Sequence, residues 1–186
     1  FSCFLDKLKT KKRKNIIKER EYLKKNNINI IIKKGDEIRS EDINLFFKCY
    51  LNTINKKWSI AYLKHSFFDQ ILNSIIKKKI VLIQAYEKNI FVGCSLHFIG
   101  EKNFYGRYWG CLKEIPFLHF ELCYYSAIDF AIENKLKKVE AGAQGEHKIA
   151  RGYEPKLTYS NHWFGHSKLS PHIKKFLIEE KKRVKD

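Results

Sequence analysis

Residues 80–110 read IVLIQAYEKNIFVGCSLHFIGEKNFYGRYWG, and 111–141 continue CLKEIPFLHFELCYYSAIDFAIENKLKKVEA. The first stretch holds three apolar runs, Ile80–Tyr86, Ile90–Phe98 and Asn103–Trp109. They are separated by the polar or Gly-containing breaks Glu87-Lys88-Asn89 and Gly100-Glu101-Lys102. Breaks of hairpin length between β-rich runs predict an antiparallel meander. The second stretch carries helical periodicity from Pro116, well suited to a first helical turn, to Leu136, and then a short strand, Lys138–Ala141. A helix between two strands implies a right-handed crossover and parallel pairing.

Working outward, Asn29–Lys33 is an Ile-rich strand closed by Gly35. Ser40 caps a helix to about Lys57 with Ile43, Phe46, Phe47, Tyr50, Leu51 and Ile54 inside, and a second helix covers Phe67–Lys78. Residues 2–26 read as one basic helix striped by Leu5, Leu8, Ile16 and Leu23. Downstream lie a loop or short helix (Gly142–Pro155), a strand (Leu157–Phe164) and a basic helix from Ser170. The expectation is an α/β (α+β) mixed sheet of about six or seven strands. The chain then divides into a basic arm at 1–27, a catalytic-sized domain at 28–169 and a basic tail at 170–186.

The 186 residues are 44% hydrophobic and 15% aromatic, enough for a real core. No apolar run approaches a bilayer span, and the Lys-rich start lacks a signal peptide's apolar block, so the chain reads as cytoplasmic. It opens on Phe1 and has no Met, which reads as a fragment with more protein upstream. Five scattered cysteines with no CxxC pair argue for reduced thiols rather than disulfides or a zinc knuckle. The formal charge of +17 would attract any polyanion, through the Lys11-Lys12-Arg13-Lys14 run among others. That charge comes from 31 Lys against 6 Arg, however, and Arg is the better phosphate fork.

Chemistry-bearing residues concentrate between Tyr105 and Trp163. At 100° per residue, Glu121 falls in the apolar stripe of Phe117, Leu118, Tyr125, Ile128 and Ile132. A carboxylate there is either a general base with its pKa raised by desolvation, or a structural group paired with Arg107 or Arg151. His119 falls on the opposite, polar arc with Ser126 and Glu133, a solvated position. Around Gly142, Gly145 and Gly152 lie Gln144, Glu146, His147, Lys148 and Arg151. His147 can move protons, and Lys148 and Arg151 can hold a phosphate or an oxyanion; the bland alternative is a Gly-rich turn with a solvated rim. Tyr105, Tyr108 and Trp109 alternate faces, some toward a core and some toward a cleft. Cys111 with His147 is a conceivable nucleophile pair, although small buried thiols are the safer reading of Cys111 and Cys123. His162 and His166 have zinc-like spacing but no third ligand, so no metal is expected.

The element order is similar to the GNAT fold, in which two parallel strands splay and the acyl donor sits in the gap. Three stretches resemble a narrower family, the bacterial FemAB-like predicted N-acyltransferases of the peptidoglycan biosynthesis/recognition type. They are Gly106-Arg107-Tyr108-Trp109-Gly110-Cys111, Leu118-His119-Phe120-Glu121 and 140–148 (EAGAQGEHK), continuing through Arg151-Gly152-Tyr153, Pro155, Thr158 and His162-Trp163. Members of that family look like two GNAT-like halves, and the resemblance implies that this is the C-terminal one.

The resemblance implies N-acyl transfer: an amine attacks an activated acyl carbon without a covalent enzyme intermediate. Glu121 or His147 would take the proton. Arg107, Tyr108, Trp109, Gln144, Glu146, Lys148 and Arg151 would line the substrate site. No permanently bound cofactor is expected. The donor is a co-substrate, aminoacyl-tRNA or an acyl-CoA. GNAT proteins that use acetyl-CoA carry a Q/R-x-x-G-x-G/A turn before the crossover helix, whereas Gly110–Leu118 has none and contains Pro116. That departure favours aminoacyl-tRNA ahead of a longer acyl-CoA. The competing class is a non-catalytic basic module that binds RNA or an acidic envelope precursor through Lys11–Lys18 and the tail.

Overall fold

Strands β1 (Ile28–Lys34), β2 (Ile80–Glu87), β3 (Ile90–Ile99) and β4 (Asn103–Cys111) pair antiparallel in chain order, and β5 (Lys138–Glu140) pairs parallel to β4. The computed structural model describes residues 1–56, 58–142, 145–163, 165 and 168–185. It divides into two units, Phe1–Glu154 and Pro155–Asp186. The meander and the parallel crossover are as expected. The strand count is five among the described residues, not six or seven. Leu157–Trp163 forms no strand: its alternation is apolar, but Leu157, Tyr159 and Trp163 are all exposed, and a strand needs a ladder partner as well as a pattern. The second unit is that extended stretch followed by a helix, Leu169–Lys185.

The sheet is covered on both faces, and β2 is buried from Ile80 to Ala85. On one face Val81, Ile83, Ala85 and Phe104 meet Leu118, Leu122, Ala127 and Phe130 of the crossover helix. On the other, Ile80, Leu82, Cys94 and Leu96 meet Ile43, Phe46, Cys49 and Tyr50 of helix Ser40–Lys56, together with Phe68 of helix His65–Leu72. The 75–79 segment is a separate 3₁₀ turn, so the second expected helix is shorter than its pattern suggested.

The N-terminal segment is two helices, Ser2–Asp6 and Thr10–Lys25, not one. Ile16 packs with Tyr124 and Tyr125, and Phe1, Phe4 and Leu8 close around them. The crossover helix starts at Leu118 rather than Pro116, because Phe117 adopts a left-handed conformation (φ 67°). It runs as Leu118–Phe120, a π turn over Glu121–Tyr125, and Ser126–Glu133. The wider turn inserts an extra residue and shifts the phase of everything after it. Glu121, Leu122, Tyr124, Tyr125 and Ser126 are therefore all buried. Among the described residues no helix is long and apolar enough to cross a membrane.

Candidate active site

β4 pairs with β5 at only three positions, ending at Tyr105↔Glu140, after which the two strands part. On its other edge, β4 matches Leu96 to Tyr108 but His97 to Gly106. Arg107 is therefore the extra residue of a β-bulge, whose backbone groups are left out of the ladder. Where the strands part, a cleft of about 290 Å³ is lined by β4 residues Gly106 to Trp109, by His97, by His119, Cys123 and Tyr124 of the crossover helix, and by Ala141, His147 and Lys148. A larger hollow of about 510 Å³ between Asp36 and Lys77 gathers no imidazole or thiol.

His147 opens a single-turn helix, His147–Ala150, that follows Gly145 at φ 103°. Its Nε2 lies 2.9 Å from the Tyr124 hydroxyl, and its ring is 5.9 Å from that of His119. His119 is half-buried, against Trp109 (4.6 Å between rings) and Tyr124 (5.4 Å). The solvated position read from the helical wheel is corrected, because the first turn of the crossover helix reaches the cleft wall. Lys148 donates to the Gly142 carbonyl at 3.0 Å, and partial burial lowers its pKa. Arg107 lies over the Tyr108 ring at 4.3 Å and donates to the Tyr62 hydroxyl at 3.1 Å, and the Tyr62 and Tyr108 hydroxyls are in contact. Burial and the Tyr62 contact push the Tyr108 phenol up.

The bulge also places His97, which carried no functional reading in the sequence. It is 1% exposed, its Nε2 is 2.8 Å from Ser95 Oγ, and burial pushes its pKa down from 6.5 to about 4. Its ring stacks on Phe104 at 4.8 Å. Ser95 and His97 are two polar residues on one face of a buried strand, and period-two alternation could have flagged them. The cleft wall also holds Tyr124, which carries no functional reading in the sequence, and Cys123, which the sequence places beside the site as a small buried thiol. Both owe their positions to the π turn, and burial pushes the Tyr124 phenol up to about 12.

Arg107, Tyr108, Trp109, His147 and Lys148 are thus brought together. Three other described candidates are not. Glu121 does not line the cleft: it takes two hydrogen bonds from Arg20 (3.0 and 3.1 Å) and one from Ser126 (2.9 Å). Its partner is neither Arg107 nor Arg151, as expected from sequence, because the N-terminal helix covers this side. Burial raises its pKa, and Arg20 and Ser126 oppose the rise. Arg151 is held by Glu19 at 2.7 and 3.2 Å, by the Tyr125 hydroxyl at 2.9 Å and by the His147 carbonyl at 3.0 Å, over the face of Phe120. Three of its nitrogens are committed to holding the His147 turn. Glu146 is exposed beside that turn and outside the lining. Gln144 lies outside the described residues, as does His166.

His162 bonds Ser160 at 2.8 Å. Among the described residues no three His, Cys, Asp or Glu side chains gather around a metal-sized space. Cys111 is buried, its pKa is raised, and it does not line the cleft, so the geometry does not pair it with His147.

A mixed sheet whose two parallel strands part beneath a crossover helix, with a bulge facing the gap, is the GNAT acyltransferase architecture. The chain belongs to the FemAB-like family, described as peptidoglycan biosynthesis/recognition, whose profile matches residues 1–186. Among solved structures, it is similar to the aminoglycoside acetyltransferase meta-AAC0020 from an uncultured soil metagenomic sample. In its complex with trehalose the TM-score is 0.54 at 10% identity, covering 76% of this chain and 98% of that one. A GNAT family acetyltransferase from Staphylococcus aureus gives 0.50 at 12% identity, covering 74% and 99%. These likenesses establish the fold. No curated protein sequence matches the chain significantly. Family and fold together support an acyl- or aminoacyltransferase.

Proposed function

We propose that this cleft transfers an acyl or aminoacyl group from an activated donor to an amine. One observation carries the reading. The parting of β4 and β5 exposes a bulge to a space lined by Arg107, Lys148 and three imidazoles, and among the described residues no carboxylate lines it. Such a site suits a carbonyl oxygen that becomes negative as the amine nitrogen bonds to the acyl carbon. Lys148, Arg107 and the amides at the bulge stabilise that oxyanion. The carbon–leaving-group bond then breaks, the leaving group departs with its electron pair, and the amine proton passes to His147, oriented by Tyr124. Glu121, in this reading, holds the crossover helix to the N-terminal helix instead of taking the proton.

Two donors fit: aminoacyl-tRNA and acyl-CoA. The turn before the crossover helix is Ile115-Pro116-Phe117, with a left-handed phenylalanine in place of glycines, which favours a donor that does not rely on a Gly-rich pyrophosphate cradle. The family's description suggests an amine of a peptidoglycan precursor as acceptor. The test is incubation of the chain with charged tRNA or a panel of acyl-CoAs and amine acceptors, with products read by mass spectrometry. Acylated product that disappears with His147→Ala is expected. No product from any donor, with binding of RNA alone, would overturn the reading in favour of a binding module.

A further inference from the structure

At the floor of the cleft, Ser95 Oγ lies 3.0 Å from the Leu122 carbonyl as well as 2.8 Å from His97 Nε2. A hydroxyl has one proton and a carbonyl can only accept, so the Ser95 proton goes to Leu122. Ser95 Oγ is then an acceptor, and His97 Nε2 must carry the imidazole hydrogen. Nδ1 is left as a lone pair. It is buried and has no hydrogen-bond partner among the described residues. Leaving such an atom unsatisfied is unfavourable, and a bound donor would remove that penalty.

The lone pair faces the place where β4 lacks a side chain. A Cβ at Gly106 would sit 3.7 Å from His97 Nδ1 and 3.5 Å from the Glu140 carbonyl oxygen. Gly106 is also the β4 residue next to the last β5-paired position, Tyr105. The acceptor therefore lies behind an opening at the point where the two strands part. Around the ring are Phe104, the Leu122 carbonyl and Ser95. The charged or titratable groups lining the rest of the cleft are Arg107, Lys148, His119, His147, Tyr108, Tyr124 and Cys123. None is a carboxylate that would stabilise an imidazolium or a bound ammonium. His97 accordingly accepts a hydrogen bond, not a proton, and its partner is uncharged.

We propose that His97 Nδ1 is a specificity-determining acceptor that receives a neutral amide N–H of the substrate bound in this cleft. This rests on the acyl-transfer reading of the cleft. The N–H has two possible sources, the amide-bearing arm of a thioester donor or the backbone of a peptide acceptor. The probes are pantetheine for the first, and a blocked alanine dipeptide for the second with its depsipeptide analogue, in which oxygen replaces each N–H.

The experiment uses the whole chain with ¹⁵N-labelled histidine and long-range ¹H–¹⁵N spectra. In the free protein, His97 is expected with hydrogen on Nε2 and a bare Nδ1. Whichever probe supplies the N–H shifts the Nδ1 resonance. If it is the peptide, the dipeptide binds roughly ten-fold tighter than its depsipeptide analogue. Gly106→Ala, whose added methyl meets only ordinary contact distances, should abolish the shift and the preference, and His97→Phe should abolish the preference. The inference is overturned if Nδ1 carries the hydrogen in the free protein, or if the Gly106→Ala chain binds the same probe unchanged. A probe that moves His147 but not His97 defeats this inference and leaves the acyl-transfer reading standing. If neither probe moves any cleft histidine, this inference falls, while the acyl-transfer reading stands or falls on its product assay.

Discussion

Arg20 grips Glu121 with two prongs, Nε to Oε2 at 3.1 Å and Nη2 to Oε1 at 3.0 Å, and the same Nη2 reaches Asp129 at 2.7 Å. Glu121 is 4% exposed, so removing its charge strands a partly buried guanidinium. Glu121→Gln should lower unfolding free energy by about 3 kcal/mol in urea melts, and Arg20→Met combined with it should restore part of the loss. Turnover per folded molecule should be nearly unchanged. A stable Glu121→Gln protein with turnover reduced a hundred-fold would instead make Glu121 the base.

His147 and Tyr124 behave differently. His147→Ala should reduce kcat by about 100-fold with little change in KM, because it removes a proton acceptor and not a binding contact. Tyr124→Phe should cost less, roughly ten-fold, through loss of the orienting 2.9 Å contact. Steady-state kinetics on an established donor–amine pair decides it. Equal kcat values in all three proteins would remove His147 from the mechanism.

His97 should make the fold acid-sensitive. Its folded pKa of about 4 lies below its ordinary 6.5, so between those values the unfolded chain binds the proton and the folded one does not. The stabilisation is complete above pH 6.5 and is lost as pH falls toward 4, by about 3 kcal/mol in all. Denaturant melts across that window should show the slope in the wild type, and His97→Phe should flatten it.

Two glycines of β4 should respond in opposite ways to the same change. A Cβ at Gly110 would lie 2.2 Å from the Cys49 carbonyl oxygen and 2.6 Å from Thr53 Oγ1, which ties helix Ser40–Lys56 to β4 by bonding the Trp109 carbonyl. Gly110→Ala should therefore cost about 3 kcal/mol or more, or prevent folding. Gly106→Ala should stay within about 1 kcal/mol of wild type. Thermal melts of the two variants are a direct comparison.

The meander and the crossover were legible because they rest on local signals, apolar runs between polar breaks and a helical period ending at a short strand. The site was half legible. Gly106 to Trp109 and the His147–Lys148 turn could be picked out as stretches, but nothing local marks Arg107 as a bulged residue. The π turn is equally silent, so nothing local places Tyr124 on the cleft wall. Glu121 read correctly as a buried carboxylate. Its partner, 101 residues upstream, is a fact of packing that no spacing encodes. The 157–163 stretch shows the reverse error, a strand-like alternation without a ladder.

The ties from the N-terminal helix to the site span long stretches of chain: Arg20 to Glu121 across 101 residues, and Glu19 to Arg151 across 132. During vectorial synthesis, this helix leaves the ribosome well before either partner exists. Its glutamate and arginine must wait in water, and its apolar stripe must wait uncovered, until the turn carrying His147 has emerged. Assembly of the cleft is thus a late, topologically long-range event, of the kind that slows folding and exposes a nascent chain to misassociation. For this contact a chaperone's window would open with helix Thr10–Lys25 and close only when Arg151 finds Glu19.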